Sequence, residues 1–473
     1  MTPRLAIALT LFAAAPALAQ PAPKTPPPKA APAAAVDDMA AFEKDLDALF
    51  VRGGLTADQA ALRAGAASPT VRRKVAEVDA AIAQALQAEL QRVPQLRASA
   101  SYTRYSYIAP VIIPFGGMNF EIPFLQNSYD AQATLVVPLS DYVVRYPKLV
   151  DAAHLGEEVA RVSKRSAEVS AGEDARLAYY EWVRAKLQVL IAQRQLAQVQ
   201  ATLAQEKAML DVQRISKADY LRIESQEAQA EQVLDQLANL ADLREEQLRL
   251  MIGAPDGEKL AVGEDIRAEL AVPQIGTLDE MIRRAQERRL DFRVLDVGIA
   301  AKDKQRQAER ATGYPRLSAT ATVEDARPNP RFFPQSDTFK TTWVAGLSVS
   351  WQLGDTLNAE TNTRRLVAET DQLRADRESL YRGTRIEVLS ALQAVQLAAH
   401  ALQTSQKGLA AAEEGYRVRK ELLAAERATA VELVDAETDL TRARITALNA
   451  RVDLRVALAQ LGHAIGDDAT PVK

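Results

Sequence analysis

Three histidines, His154, His400 and His463, are the only imidazoles in the chain. Gathered around a metal ion, or paired with a carboxylate, they could supply ligands or a general base. Their spacing argues against both roles. They lie far apart, each inside a helical pattern, and each reads as a surface or seam residue. The sequence has no phosphate loop, no HExxH and no nucleophile elbow. Glu413, Glu414 and Glu421 form an acidic cluster, but Arg417, Arg419 and Lys420 stand among them. Acids and bases spread together along a helix read as a solvated face. Nothing in these residues calls for an enzyme, a cofactor or a bound metal, so function has to come from the elements themselves.

The first elements concern export. Met1 to Arg4 carries one positive charge, Leu5 to Ala15 is apolar, and Ala17-Leu18-Ala19 is a small-x-small site. Residues 1–19 therefore read as a signal peptide, too short to span a bilayer. The Pro- and Ala-rich stretch that follows, within 20–38, reads as an extended tether. The rest is long enough for two or three ordinary domains. Its Ala, Leu, Gln, Glu and Arg content, with only 5% aromatics, favours long helices instead. Cysteine is absent, which excludes disulfides and lipid attachment at an N-terminal cysteine. A net charge of −4 with interspersed signs shows no nucleic-acid footprint. After the signal there is no apolar run of ~18 residues. A membrane crossing would have to be made by strands.

The chain repeats itself at the spacing that separates Gly253 from Gly466, 213 positions. Trp182, Ala185, Val189, Leu196, Leu203 and Leu210 match Val395, Ala398, Leu402, Leu409, Tyr416 and Leu423 without a gap. Farther on, Arg214 meets Arg427 and Leu248 meets Leu461, and the closing Ile-Gly pairs align. In each copy the pattern changes from helix to strand and back. Leu96, Ala98, Ala100 and Tyr102 alternate with polar residues, as do Tyr129, Ala131, Ala133, Leu135 and Val137. The second copy has Leu317, Ala319, Ala321 and Val323, then Trp343, Ala345, Leu347, Val349 and Trp351. Strands of ~10 residues with one apolar and one polar face suit a membrane β-barrel or an antiparallel sheet on a soluble core. The connecting loops, 110–126 and 326–338, are expected outside the cell.

Long helical segments follow each strand pair, from about Tyr146 to Arg214 and from about Thr356 to Arg427, each spanning on the order of 100 Å. Such helices need partners along their whole length. The last helix carries a heptad line, Leu433, Leu440, Ala447, Leu454 and Leu461, with a second line, Val434, Thr441, Leu448 and Val452, beside it. Two adjacent lines allow a neighbour on each side, as in a ring. Four strands cannot close a barrel, since single-chain barrels begin at about eight. The chain must associate, and three copies would supply ~12 strands.

Together these features resemble the TolC-like outer membrane efflux family, from about Met39 to Gly466. The best local match is Arg427-Ala428-Thr429-Ala430-Val431-Glu432-Leu433, with its first-copy counterpart Arg214-Ile215-Ser216-Lys217-Ala218-Asp219. The resemblance implies a mainly α chain with four β-strands and long coiled-coil helices, forming a homotrimer. That trimer has a 12-stranded β-barrel in outer membrane lipid and a periplasmic α-helical barrel. It implies repeats at 39–253 and 277–466, an equatorial connector at 254–276 and a tail at 467–473. The expected strands cover 96–108, 128–139, 316–325 and 341–353. The implied function is a passive exit duct for a tripartite efflux or type I secretion system, docked to a periplasmic adaptor and an inner-membrane transporter. Adaptor docking falls to the hairpin tips, Gln213, Arg214, Ile215, Ser216 and Lys217 in the first copy and Glu426, Arg427, Ala428 and Thr429 in the second. Acidic narrowing of the periplasmic entrance in the family points to Glu413, Glu414 and Glu421. The family commonly has glycine where this chain has Gln213 and Glu426. The rival readings are a periplasmic coiled-coil adaptor and a structural scaffold without a pore.

Overall fold

The computed structural model describes residues 38–122, 124–268, 270, 276–425 and 427–469. The expected signal peptide, nearly all of the tether, Glu426 and the last residues of the tail lie outside the described residues. The chain runs α1 Asp38–Leu49, β1 Phe50–Leu55, α2 Ala57–Ala67, α3 Pro69–Leu90, β2 Gln95–Arg104, β3 Val111–Phe115, β4 Met118–Ile122 and β5 Asn127–Val137. It continues through α4 Leu139–Val144, α5 Tyr146–Asp211 and α6 Lys217–Ile252. The second copy holds α7 Leu278–Arg288, α8 Leu290–Ala311, β6 Arg316–Arg327, β7 Lys340–Ser350, α9 Leu353–Ala424 and α10 Ala430–Ala464.

Among the described residues no helix is long and apolar enough to cross a membrane. The long helices are instead amphipathic. α5 has 66 residues and α9 has 72, so each extends on the order of 100 Å. Pro147 sits in the first turn of α5, where a missing N–H leaves no bond unmade. The return helices start on hydroxyl caps. Ser216 accepts from the Asp219 N–H, and Thr429 forms a capping box with Glu432. Each of these bonds satisfies an N–H that the helix leaves unpaired. Both returns close on a left-handed glycine, Gly253 at φ 62° and Gly466 at φ 76°, a conformation that costs other residues energy. Thus the duplication reaches the capping chemistry, well beyond the apolar register.

The two apolar lines of α10 face different partners. Val452 is buried with Tyr179, Trp182 and Leu187 of α5. Leu454, Ala457 and Leu461 are buried with Val388, Ala391 and Val395 of α9. Residues 261–263, within the segment expected as a connector, pair with β1, where the Leu55 N–H donates to Ala261 O and the Gly263 N–H to Leu55 O, each at 2.8 Å.

The four expected strands form one antiparallel sheet in the order β2-β5-β6-β7. Three further strands go beyond the expectation of four: the short β1, and the β3–β4 hairpin that extends the β2–β5 turn. β2 stops at Arg104 rather than 108, with one more cross-strand bond from the Tyr105 N–H to Gln126 O at 2.7 Å, and pairing resumes at Val111.

His463 is neither a surface residue nor a plain seam residue. Its Nε2 lies 2.9 Å from Glu173 of α5 and its Nδ1 lies 2.7 Å from Asp468. Arg288 pairs with Asp467 beside it, so the chain end is clasped to both copies. Burial opposes the imidazolium, but the hydrogen bonds to Asp468 and Glu173 outweigh it and push His463 up to about 10. A group raised in the folded state stabilises fully below its unfolded value and loses that contribution as pH climbs through the folded one. Replacing His463 with Gln should therefore cost ~3 kcal/mol at pH 6. The deficit should shrink between pH 7 and 10. Thermal unfolding of both proteins across that range measures it, and a deficit constant with pH would refute the ion-pair account.

Candidate functional site

The sheet register sorts its side chains onto two faces. Leu96 pairs with Leu135, Leu135 with Ala321, and Ala321 with Ala345. Tyr102 pairs with Tyr129, Val323 with Trp343, Ala319 with Leu347, and Leu317 with Val349. Directly opposite residues in an antiparallel pair point the same way, so all of these share one face. The other face holds Arg97 with Thr134, Ser99 with Gln132, Gln132 with Glu324, and Ser318 with Ser348. Across it the Thr134 and Thr322 hydroxyls are hydrogen-bonded at 3.1 Å. On the apolar face Leu96 is 72%, Trp343 75%, Leu347 73% and Val349 71% exposed in the single chain. A water-soluble sheet would cover such a surface.

Trp343 and Trp351 bracket the apolar run of β7. They lie eight positions apart, ~26 Å along a strand, or roughly 20 Å along the normal at the usual tilt. That matches an apolar band between two aromatic girdles. The lower end meets the helices, where the Tyr142 hydroxyl donates to Arg92 O and the Leu317 N–H donates to Ser140 Oγ.

At the far end of α5 the first tip is a Schellman-type turn. The Arg214 N–H reaches back to Met209 O at 2.9 Å, and Gln213 takes φ 58°. The second tip repeats the bond, with the Arg427 N–H donating to Leu422 O at 2.8 Å. Gln213, Arg214, Ser216, Lys217, Arg427 and Thr429 are exposed, while Ile215 and Ala428 are partly buried. Gln213 occupies the position where glycine is favoured. Substituting Gln213 by Gly is expected to stabilise the first tip by up to ~1 kcal/mol, read as slower proteolytic nicking there. Faster nicking would mean that the loss of the side chain outweighs the relief of strain.

The tips stand side by side. Arg222 Nη2 lies 3.6 Å from Asp435 Oδ1, joining α6 to α10 at equivalent positions of the two copies. Beside this pair Val199, Ile223 and Val434 are buried together. Sequence reasoning missed this junction; the repeat spacing that relates Arg222 to Asp435 was its signal. It also missed Glu206, buried on α5 near the first tip. Burial, with Asp219 adding, raises that carboxyl above the ordinary range. Of the acidic cluster, Glu414 and Glu421 both pair with Arg417, at 2.5 and 2.7 Å. Glu413 is not part of that pairing. Among the described residues no group of histidines and carboxylates is arranged to hold a metal.

A sheet with an exposed apolar face is thus carried on amphipathic helices about 100 Å long. Residues 281–467 match the family model for outer membrane efflux proteins, a family of channels rather than enzymes. The chain as a whole has the fold of the TolC-like outer membrane efflux channels, and its second copy carries their sequence pattern. It superposes on CusC with a TM-score of 0.71 at 17% identity, covering 88% of this chain and 93% of that one. For the outer-membrane channel OprN the TM-score is 0.70 at 19% identity, with 94% and 98% covered. For the open state of the Neisseria gonorrhoeae MtrE outer membrane channel it is 0.69 at 19% identity, with 87% and 88% covered. No curated protein matches it by sequence.

Proposed function

We propose that three copies of this chain close into one passive exit duct, joined at its periplasmic end to an adaptor and through it to an inner-membrane transporter. The observation that carries this reading is the open sheet. β2 and β7 each have a neighbour on one side only. An open edge in lipid leaves backbone N–H and C=O groups without partners. Pairing β7 of one copy with β2 of the next satisfies both edges, and three copies make a barrel of ~12 strands. The helices support the same arrangement. α6 buries Ile223, Ala230 and Leu248 but leaves Val233, Leu240, Leu243 and Leu250 exposed at heptad spacing. On the opposite flank α9 leaves Ile386, Leu389 and Leu397 exposed. In a ring, α6 of one copy lies against α9 of the next.

The deciding measurement is the mass of the detergent-extracted complex. Three chains per particle are expected, and a folded, membrane-bound monomer would overturn the reading. A scaffold without a pore would leave the cell envelope without detergent.

A further inference from the structure

The outer end of the sheet's apolar face carries a cluster for which a duct has no use. Tyr102 and Tyr129 stack with ring centroids 5.0 Å apart, and Tyr129 lies 6.2 Å from Phe339. The Arg327 guanidinium sits over both Tyr129 and Phe339, 5.7 and 5.9 Å from their centroids. Its Nε and Nη2 donate to Asp337 at 2.8 and 2.9 Å, which leaves the Nη1 group for another acceptor. Next along β2 is Arg104, in register with Asn127. Arg104 is exposed and has no partner among the described residues. Asn127 Oδ1 accepts from the Tyr102 hydroxyl at 3.1 Å, so its amide NH2 remains a donor.

The register puts Arg104, Tyr102, Tyr129 and Arg327 on the same face as Leu347 and Trp343. From strand spacing and rise, the two arginine backbones stand ~12 Å apart. Of the acids on this rim, Asp337 is paired with Arg327, while Asp325 accepts from the Thr341 hydroxyl at 3.0 Å and keeps its charge. At the other end of the face the rows are Leu317 with Val349 and Ala319 with Leu347, and among the described residues no cation stands in the strand register of that end of the face. An aromatic girdle alone suits any bilayer interface. Arginines added on one side only call for anionic headgroups in that leaflet.

We propose that this rim binds the headgroup of a phosphorylated glycolipid in the outer leaflet. Arg104 and Arg327 meet its phosphates, and the exposed surfaces of Tyr102 and Phe339 meet its sugar rings. A guanidinium offers phosphate a planar fork of donors. Contact with two rings and the pair with Asp337 hold that of Arg327 in place before the lipid arrives. The inference rests on reading the sheet as a membrane barrel.

Native mass spectrometry of the detergent-extracted complex tests it with three probes: phosphorylated lipid A, the same lipid after dephosphorylation, and inorganic phosphate. The R104Q/R327Q complex is expected to hold phosphorylated lipid A at least tenfold more weakly than the unaltered complex. Dephosphorylated lipid A should bind the unaltered complex no better than the variant binds the intact lipid. Inorganic phosphate at the lipid's concentration should displace none of it. R104E, which leaves the Arg327–Asp337 pair alone, gives the same comparison if the double variant does not assemble. Equal retention of both lipids, equal retention by the variants, or displacement by inorganic phosphate would each overturn the proposal. A failure of the unaltered chain to form an oligomer would instead count against the barrel reading, and the measured mass separates the two.

Discussion

Arginine in place of Leu347 is expected to cost ~2–4 kcal/mol of barrel stability, whereas arginine in place of Ser348 should be mild. The two positions are neighbours in the chain and differ only in face. Leu347 pairs with Ala319 on the exposed apolar side, and Ser348 pairs with Ser318 on the polar side. Leu347 also lies four residues from each of Trp343 and Trp351, midway between the two rings. A charge there has the longest path to water, which makes the midplane the costliest depth. On the polar side an arginine joins the face of Arg97, Gln132 and Glu324, which lines the lumen of the proposed barrel. The fraction of complex that survives extraction and graded urea measures the difference. Equal survival of the two variants would mean that the faces are assigned the wrong way or that the sheet lies outside the bilayer.

The other large effect is expected at the tips. Changing Ile215 and Ala428 together to Asp should leave complex yield and membrane insertion normal while transport falls to the level of cells lacking the channel. Neither residue is a cap, since Ser216 and Thr429 hold those roles, and each is only partly buried. The substitution therefore alters the chemistry of the tip surface with little effect on the turn. Crosslinking to the adaptor should disappear with transport. Unchanged transport with intact crosslinks would move docking elsewhere on the helical barrel.

Much of this architecture was legible because its signals are local. The strand faces follow from alternation, the helix ends from Ser216, Thr429, Gly253 and Gly466, and the duplication from a single spacing. The β3–β4 hairpin was readable too. Gly116 and Gly117, both at positive φ, are the two-residue turn that hairpins favour. The apolar run Val111-Ile112-Ile113, lacking alternation and broken by Pro114, hid it. Contacts between distant segments were beyond reach. Asp468 stands close to His463 in sequence, but Glu173 comes from the other copy. Likewise the Glu414–Arg417–Glu421 bridges show that the acids near the second tip are partly neutralised on their own helix. That partial neutralisation lowers their weight as a bare negative ring and leaves Glu413 to be tested separately.

The doubled chain has a consequence for whatever docks below it. Arg214-Ile215-Ser216-Lys217 and Arg427-Ala428-Thr429 share a backbone turn but present unlike surfaces, the first carrying an extra cation and a larger apolar side chain. A closed trimer would show these two surfaces alternately around its entrance, a near-sixfold ring built from threefold parts. Identical partner hairpins filling every place would have to accept two non-equivalent seats. They would either bind through what the seats have in common, the turn and the hydroxyl caps, or settle into two conformations that alternate around the axis.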